Sequence, residues 1–248
     1  MALIALVTGS SRGIGAATAI ELAAQGYTVC VTYCSKKAEA LTVVNEIKAL
    51  GQHAIAIQAD MANEADVVQL FNTIDQQLGT VDLLINNAGI LFPQMTIESM
   101  TAERINRTLQ TNVTGYFLCC REAVKRMSLK YKGKGGVIVN VSSGAARTGS
   151  PNEYIDYAAS KGAIDTLTKG LAIEVAAQGI RVNGVRPGLI YTDMHSDGGE
   201  ANRVDRLKEK LPLQRGGTPQ EVAEAIVWLA SAKSSFTTGS FIDVSGGL

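Results

Sequence analysis

The sequence predicts a doubly wound α/β fold, a parallel sheet with helices on both faces. Two observations carry this. Short, near-continuous apolar runs recur along the chain, each followed by a longer stretch of helical character, the pattern of strands buried on both sides. Three of the first helical stretches stop at a glycine, as helices do before a right-handed crossover brings the next strand in parallel. No repeat, charge block, low-complexity tract or Pro/Gly/Ser linker interrupts residues 1–248, which therefore read as one domain.

Leu3–Thr8 is the first strand, and Ile14–Gln25 an Ala-rich helix stopped by Gly26. Tyr27–Tyr33 is β-branched and extended, and Lys37–Leu50 helical up to Gly51. His53–Gln58 repeats the strand with His53 at the surface, and Glu64–Leu78 the helix, ending at Gly79. Val81–Asn86 makes a fourth strand, followed by helices over Ala102–Asn112 and Gly115–Lys130. Gly136–Ser142 is the fifth strand, Tyr157–Gln178 a long helix and Ile180–Arg186 the sixth strand. Glu221–Ala230 is a helix whose Trp228 is expected in the core with Ile226 and Leu229, and Ser240–Val244 closes the sheet.

Composition excludes several functions. The 248 residues carry 23 basic and 23 acidic side chains, without the basic excess of a nucleic-acid binder. The apolar content of 46% is that of a globular protein. No apolar run approaches the roughly 18 residues of a membrane span, and Met1–Val7 lacks the basic leader of a secretory signal. Cys30, Cys34, Cys119 and Cys120 form no C-x-x-C pair and only His53 and His195 accompany them, so no metal site is expected. The plain expectation is reduced cysteines in a cytoplasmic protein.

Ligands of such sheets bind past the carboxyl ends of the strands, at the topological switch. After the first strand comes Thr8-Gly9-Ser10-Ser11-Arg12-Gly13-Ile14-Gly15. Glycines here permit a sharp turn and close approach to a pyrophosphate, and the helix N-terminus offers free N–H groups to it. The spacing T-G-x-x-x-G-x-G resembles the short-chain dehydrogenase/reductase family. The resemblance continues in Asn86-Asn87-Ala88-Gly89 after the fourth strand, Asn112, Ser142-Ser143 closing the fifth, Tyr157-Ala-Ala-Ser-Lys161, and Pro187-Gly188 after the sixth. Within the family the likeness is to the bacterial glucose-dehydrogenase-like and 3-oxoacyl-reductase-like branch. It implies a Rossmann-type fold and hydride transfer between a nicotinamide dinucleotide and a ketone or secondary alcohol.

Carbonyl reduction needs a proton donor and a polarised oxygen. Tyr157 and Lys161, four apart, share one helix face, and a neighbouring ammonium lowers a phenol's pKa from about 10. Tyr157 is therefore the expected acid in reduction and base in oxidation; the resemblance adds that Lys161 holds the nicotinamide ribose. Ser143 is the expected oxyanion donor, with a swap to Ser142 left open, since Ser143 precedes Tyr157 by one residue more than many members show. The extra residue falls within Gly144–Asp156, and Tyr154 is read as a pocket aromatic. Asn112 matches the family member that supports a water relay to the lysine. His195 is read as solvated, because the tyrosine already supplies the acid.

The cofactor expected is NADP rather than NAD. An NAD enzyme places an acid at the end of the second strand. Here Val31–Lys37 has none, Tyr33 stands in its place, and Arg12 and Ser35 are the expected phosphate partners, with Lys36 as a further donor. Asp60 is assigned to adenine. Gly9, Ser11, Gly13, Ile14, Gly15, Met61, Asn87, Ala88, Gly89, Pro187, Gly188, Ile190 and Thr192 complete the cofactor contacts the resemblance implies. A polar stretch at 190–215 is expected to form the substrate lid.

Helix Tyr157–Gln178 carries one apolar stripe for the sheet, Ile164, Leu167, Leu171 and Val175. A second stripe, Ala159, Ala163, Thr166, Gly170, Ile173 and Ala177, suits a partner subunit. With helix Gly115–Lys130 this predicts a homotetramer. The rival substrate is a 3-oxoacyl group on acyl carrier protein, supported by the basic Lys125–Lys134 stretch but not by Ile173, where related reductases often carry arginine. A non-catalytic dinucleotide sensor is the alternative of another class.

Overall fold

The computed structural model describes residues 2–248, so of the apolar leader only Met1 lies outside it. Its elements in chain order are β1 (Ile4–Val7), α1 (Gly13–Ala24), β2 (Thr28–Tyr33), α2 (Lys37–Ala49), β3 (Ala54–Gln58), α3 (Glu64–Gln77), β4 (Leu83–Asn86), α4 (Ala102–Leu109), α5 (Gly115–Met127) and β5 (Gly136–Val141). There follow α6 (Ala145–Thr148), α7 (Ile155–Val175), β6 (Ile180–Pro187), α8 (Met194–Asp197), α9 (Arg203–Leu207), α10 (Pro219–Ala230) and β7 (Phe241–Val244). Among the described residues seven strands form one sheet in the order β3-β2-β1-β4-β5-β6-β7, every neighbouring pair parallel. The chain winds outward from β1 to β3, then returns to place β4 against the other side of β1. The switch point lies between them.

The apolar alternation explains the layers. Leu22, Val44, Ile47 and Ile226 bring α1, α2 and α10 onto one face of the sheet, while Phe71, Cys119, Ala172 and Val175 bring α3, α5 and α7 onto the other. On α7, Ile164 and Val175 are buried and Leu167 and Leu171 pack partly against the same core. Helix starts are chemically marked: Asn63 accepts from the N–H groups of Ala65 and Asp66, and Thr218 and Glu221 form a reciprocal capping box at α10. At α1 the capping residue is Arg12, which has no side-chain acceptor to give.

Three expectations need correction. The Ala102–Asn112 and Gly115–Lys130 helices are not separated by a break: a π-turn over Gln110–Thr114 joins them, placing Asn112 in its wider, buried turn. Trp228 is 40% exposed, because Val222, Ile226 and Leu229 form the inward stripe of α10 and residue 228 falls outside it. The stretch read only as a polar lid contains α8 and α9, each four or five residues long and without a periodic apolar face.

Candidate active site

The turn from β1 into α1 runs against the turn that leaves β4. Gly9 has a φ of 62°, and a Cβ on it would lie 2.8 Å from the Ala88 backbone. A Cβ on Gly15 would meet Asn87 Nδ2 at 2.5 Å and the Gly9 carbonyl at 2.6 Å. Neither position has room for a side chain. Thr8 Oγ1 accepts from the N–H groups of Asn87 (2.9 Å) and Ala88 (3.0 Å), and Asn87 Nδ2 donates to the carbonyls of Thr8 (2.9 Å) and Gly9 (3.0 Å). The first N–H groups of α1, left without a capping side chain, open onto this junction as an anion cradle.

From the cradle a trough of about 600 Å³ runs to the ends of β2 and β3. Gly9, Ser11, Arg12, Gly13, Ile14 and Gly15 of the first turn line it together with Asn87, Ala88 and Gly89 of the turn after β4. Tyr33, Ser35, Asp60 and Met61 line the end at β2 and β3, and Thr192 lines it as well. A second cavity of about 390 Å³ adjoins it through Ile14, Asn87 and Thr192, and is lined by Ser143, Tyr157, Lys161, Pro187, Gly188 and Ile190. The expected cofactor and catalytic residues thus gather around two joined spaces, except Asn112, which lies beneath.

Within that gathering, α7 carries Tyr157 and Lys161 side by side, with Lys161 Nζ 5.6 Å from the Tyr157 ring centre. Lys161 Nζ donates to the Val141 carbonyl (2.8 Å) and to the Tyr116 hydroxyl (3.3 Å). Ser143 faces the phenol. Ser142 is buried and donates to Asp165 Oδ1 (2.6 Å) and the Lys161 carbonyl (3.2 Å). Asn112 accepts from Ile90 N–H (2.8 Å) and donates to the Ile90 carbonyl (3.0 Å) and Ser160 Oγ (3.3 Å).

A family profile described as "Enoyl-(Acyl carrier protein) reductase" matches residues 9–248. The chain is 65% identical over 244 residues to "Uncharacterized oxidoreductase YgfF" of Escherichia coli (strain K12), covering 98% of this chain and 99% of that protein. It is 41% identical over 248 residues to a 3-oxoacyl-[acyl-carrier-protein] reductase of Synechocystis sp. (strain ATCC 27184 / PCC 6803 / Kazusa), covering 100% and 97%. A crystal structure of a short-chain type dehydrogenase/reductase from Mycobacterium marinum superposes with a TM-score of 0.92 at 34% identity, covering 98% of this chain and 94% of that one. The chain belongs to the short-chain dehydrogenase/reductase family. It is accordingly an oxidoreductase of a family that uses nicotinamide dinucleotides.

The electrostatics of this short-chain dehydrogenase/reductase differ from the sequence expectation. Burial pushes the Tyr157 phenol up to about 12, against a smaller lowering by Ser143. Burial also brings Lys161 down to about 7, opposed by Asp165. A lysine brought to about 7 is only partly charged at neutral pH and pulls less on the phenol, whose pKa burial raises instead of lowering. Helix spacing pairs the two residues but carries no information on what buries them.

Arg12 also departs from expectation. It pairs with Asp197 and lies 3.9 Å from Asp193, both in the 190–215 stretch, so its guanidinium is already engaged by carboxylates. His195 is not solvated: it is partly buried in α8, with Nε2 2.9 Å from the Ile190 carbonyl. Tyr154 is buried and lines the cavity, donating to the Gly198 carbonyl (3.2 Å). The extra residue near it coincides with a loop in which Ser150 and Asn152 take positive φ angles of 42° and 64°. Sequence reasoning missed Tyr116, whose hydroxyl donates to the Val141 carbonyl (3.0 Å) beneath Lys161. The break read between the two helices hid it, because the π-turn that joins them carries Tyr116 round beside Asn112. It also missed Arg104, which clamps Asp156 beside Tyr157 through Nε (2.8 Å) and Nη2 (3.2 Å).

Proposed function

We propose that the protein is an NADP-dependent oxidoreductase that interconverts a ketone and a secondary alcohol, with Tyr157 as proton donor in one direction and acceptor in the other. The observation that supports it most is the approach of Tyr157, Lys161 and Ser143 on one cavity that opens directly into the cradle at the start of α1. We read residues 1–248 as one dinucleotide-binding domain with a lid at 190–215.

The residues present fit the cofactor, because the cradle needs Gly9 and Gly15 and leaves the α1 N–H groups for a pyrophosphate. Gly13, Ile14 and Ser11 would flank that position, Asp60 and Met61 would hold the adenine, and Asn87, Ala88, Gly89, Pro187, Gly188, Ile190 and Thr192 would hold the nicotinamide end. Tyr33, Ser35 and Arg12 serve the 2′-phosphate, where β2 ends without a carboxylate. When bound, the dinucleotide supplies or takes the hydride and brings a positive charge in its oxidised form.

Ser143 and the Tyr157 phenol donate to the substrate oxygen as charge builds on it. Tyr157, protonated at neutral pH, then delivers its proton to that oxygen. Lys161 would hold the ribose hydroxyls and return a proton toward Tyr157, and Asn112 would anchor the far end of that relay. NADPH oxidation across a panel of ketones and aldehydes tests the reading, and no turnover with any would favour the sensor. Tyr157→Phe should lower turnover by about 10²–10⁴ while leaving cofactor binding in place. A loss within about tenfold would remove Tyr157 from the role.

A second reading is reduction of 3-oxoacyl groups on acyl carrier protein, favoured by the names of relatives and by the basic Lys125–Lys134 stretch. Ile173, 76% exposed on α7, offers no cation to that acidic carrier. Comparing a carrier-bound thioester with free ketones separates the two. We also propose assembly as a homotetramer through α7 and α5. Ala159, Thr166, Gly170, Ile173 and Ala177 of the second stripe are exposed, and no other part of the described chain covers them.

A further inference from the structure

A buried lysine is normally paired with a carboxylate. Lys161 is 2% exposed and makes no ion pair among the described residues. Asp165 opposes its loss of charge from a distance, but that carboxylate is bound by Ser142 (2.6 Å) and Arg186 (2.9 Å). Two neutral oxygens hold Nζ instead, the Val141 carbonyl at 2.8 Å and the Tyr116 hydroxyl at 3.3 Å. The Tyr116 hydroxyl gives its own proton to the same carbonyl (3.0 Å), so its oxygen meets Lys161 as an acceptor. An ammonium has three N–H groups and a neutral amine two. The two oxygens account for both N–H groups of the neutral form, and the third proton is the one Lys161 can give away.

Tyr116 does not titrate in this role. It is fully buried on α5, and burial raises its phenol well above the ordinary value. The other groups around Nζ are Tyr157 on α7, pushed up to about 12, and Cys119 and Cys120 on α5, which burial also raises. The turn after β4 brings only Gly89, where a Cβ would lie 3.8 Å from Nζ. These phenols and thiols keep their protons between about pH 5 and 9, where Lys161 changes charge.

We propose that Tyr116 is a positioning residue for the reaction at Tyr157: its hydroxyl fixes the Lys161 amine and favours its protonated form, which restores the proton the phenol gives up. The inference rests on the proposed reaction. In reduction the Tyr157 proton goes to the substrate oxygen, and the third proton of Lys161 moves toward the phenolate. Lys161 ends as a neutral amine with its two N–H groups still on Val141 and Tyr116.

Tyr116→Phe tests this, because it keeps the ring whose centre lies 5.1 Å from Nζ and removes only the oxygen. An ammonium short of one acceptor is less favoured, so Lys161 should lose its proton at lower pH. With saturating NADPH and ethyl 3-oxobutanoate, wild-type kcat should fall as pH rises through about 7. In the variant it should fall through about 6, a deficit of about tenfold at pH 8 that nearly vanishes at pH 5, with KM for the ketone within about twofold. Urea unfolding of the cofactor-free protein reads the same group without turnover. Stability should begin to rise with pH near about 7 in the wild type and about one pH unit lower in the variant. A kcat lowered by the same factor at every pH, or an unfolding onset that does not move, overturns the inference. A wild type that turns over neither this ketone nor any other of the panel overturns the proposed function, and the unfolding onset alone then decides whether Tyr116 governs Lys161.

Discussion

Replacing Lys161 with methionine should stabilise the protein at neutral pH while ending its turnover. Burial carries this ammonium from its ordinary 10.5 to about 7, and in the unfolded chain it regains the ordinary value. A gap of roughly 3.5 in pKa, at about 1.4 kcal/mol for each, means that folding around the lysine costs about 5 kcal/mol below pH 7. Between about pH 7 and 10.5 the unfolded chain binds the proton and the folded one does not, so wild-type stability rises with pH across that window. Methionine has similar length and no charge. The Val141 carbonyl keeps its bond from Tyr116 at 3.0 Å, so the exchange strands no acceptor there. Losing the lysine's own hydrogen bonds and some packing offsets part of the gain, leaving a few kcal/mol in favour of methionine. Urea unfolding followed by circular dichroism at pH 6.5 and 9.5 measures this. The difference between the proteins should shrink by about 3 kcal/mol from the lower pH to the higher. A methionine variant less stable than wild type at pH 6.5, or a difference indifferent to pH, would refute the reasoning.

Arg104→Met should remove about 3–5 kcal/mol at pH 7, because it leaves the Asp156 side chain, 2% exposed, as a buried carboxylate without its cation. Calorimetry should show the melting point lower by roughly 6–20 °C. In the wild type burial raises the Asp156 pKa, and Arg104, the Tyr157 N–H and Thr108 together more than reverse it; removing Arg104 takes away its share and moves the pKa up, so the deficit should narrow as pH falls toward about 4. Arg12→Ala should reduce kcat/KM for NADPH by about tenfold or more and leave NADH unchanged, whereas Asp197→Asn, which releases Arg12, should improve NADPH. Equal effects on both cofactors would separate Arg12 from the phosphate. Light scattering at micromolar concentration should give four times the 26.2 kDa chain mass, and Ile173→Glu should reduce it; a wild-type monomer would exclude the α7 interface.

The fold was legible because each strand is a compact apolar run and most helices end in chemistry that a sequence displays, such as Gly26, Gly51 and Gly79. The cradle was legible for the same reason, since only glycine allows Gly9 to meet Ala88. Asn112 was found, but its π-turn was not, because a widened turn has the same side-chain types as a regular one. Helices α8 and α9 lacked a periodic face; their ion pairs reach to distant residues, Arg12 for Asp197 and Glu153 for Arg203. The ionisation of Lys161 was misjudged because the groups around it, Tyr116 and the end of β5, are remote in sequence.

The contact between Gly9 and Ala88 divides the site into a part that tolerates change and a part that does not. The loops after β1 and β4 are cross-linked through Thr8 and Asn87, so an alteration in either displaces both. Attempts to redesign cofactor preference through the glycine loop would therefore disturb the pyrophosphate cradle before they altered recognition of the ribose. Cys34, Ser35 and Lys36, exposed beyond β2, bear no such constraint and still line the same trough. Directed evolution toward the other dinucleotide has its free ground in those three residues, with the cradle left as it stands.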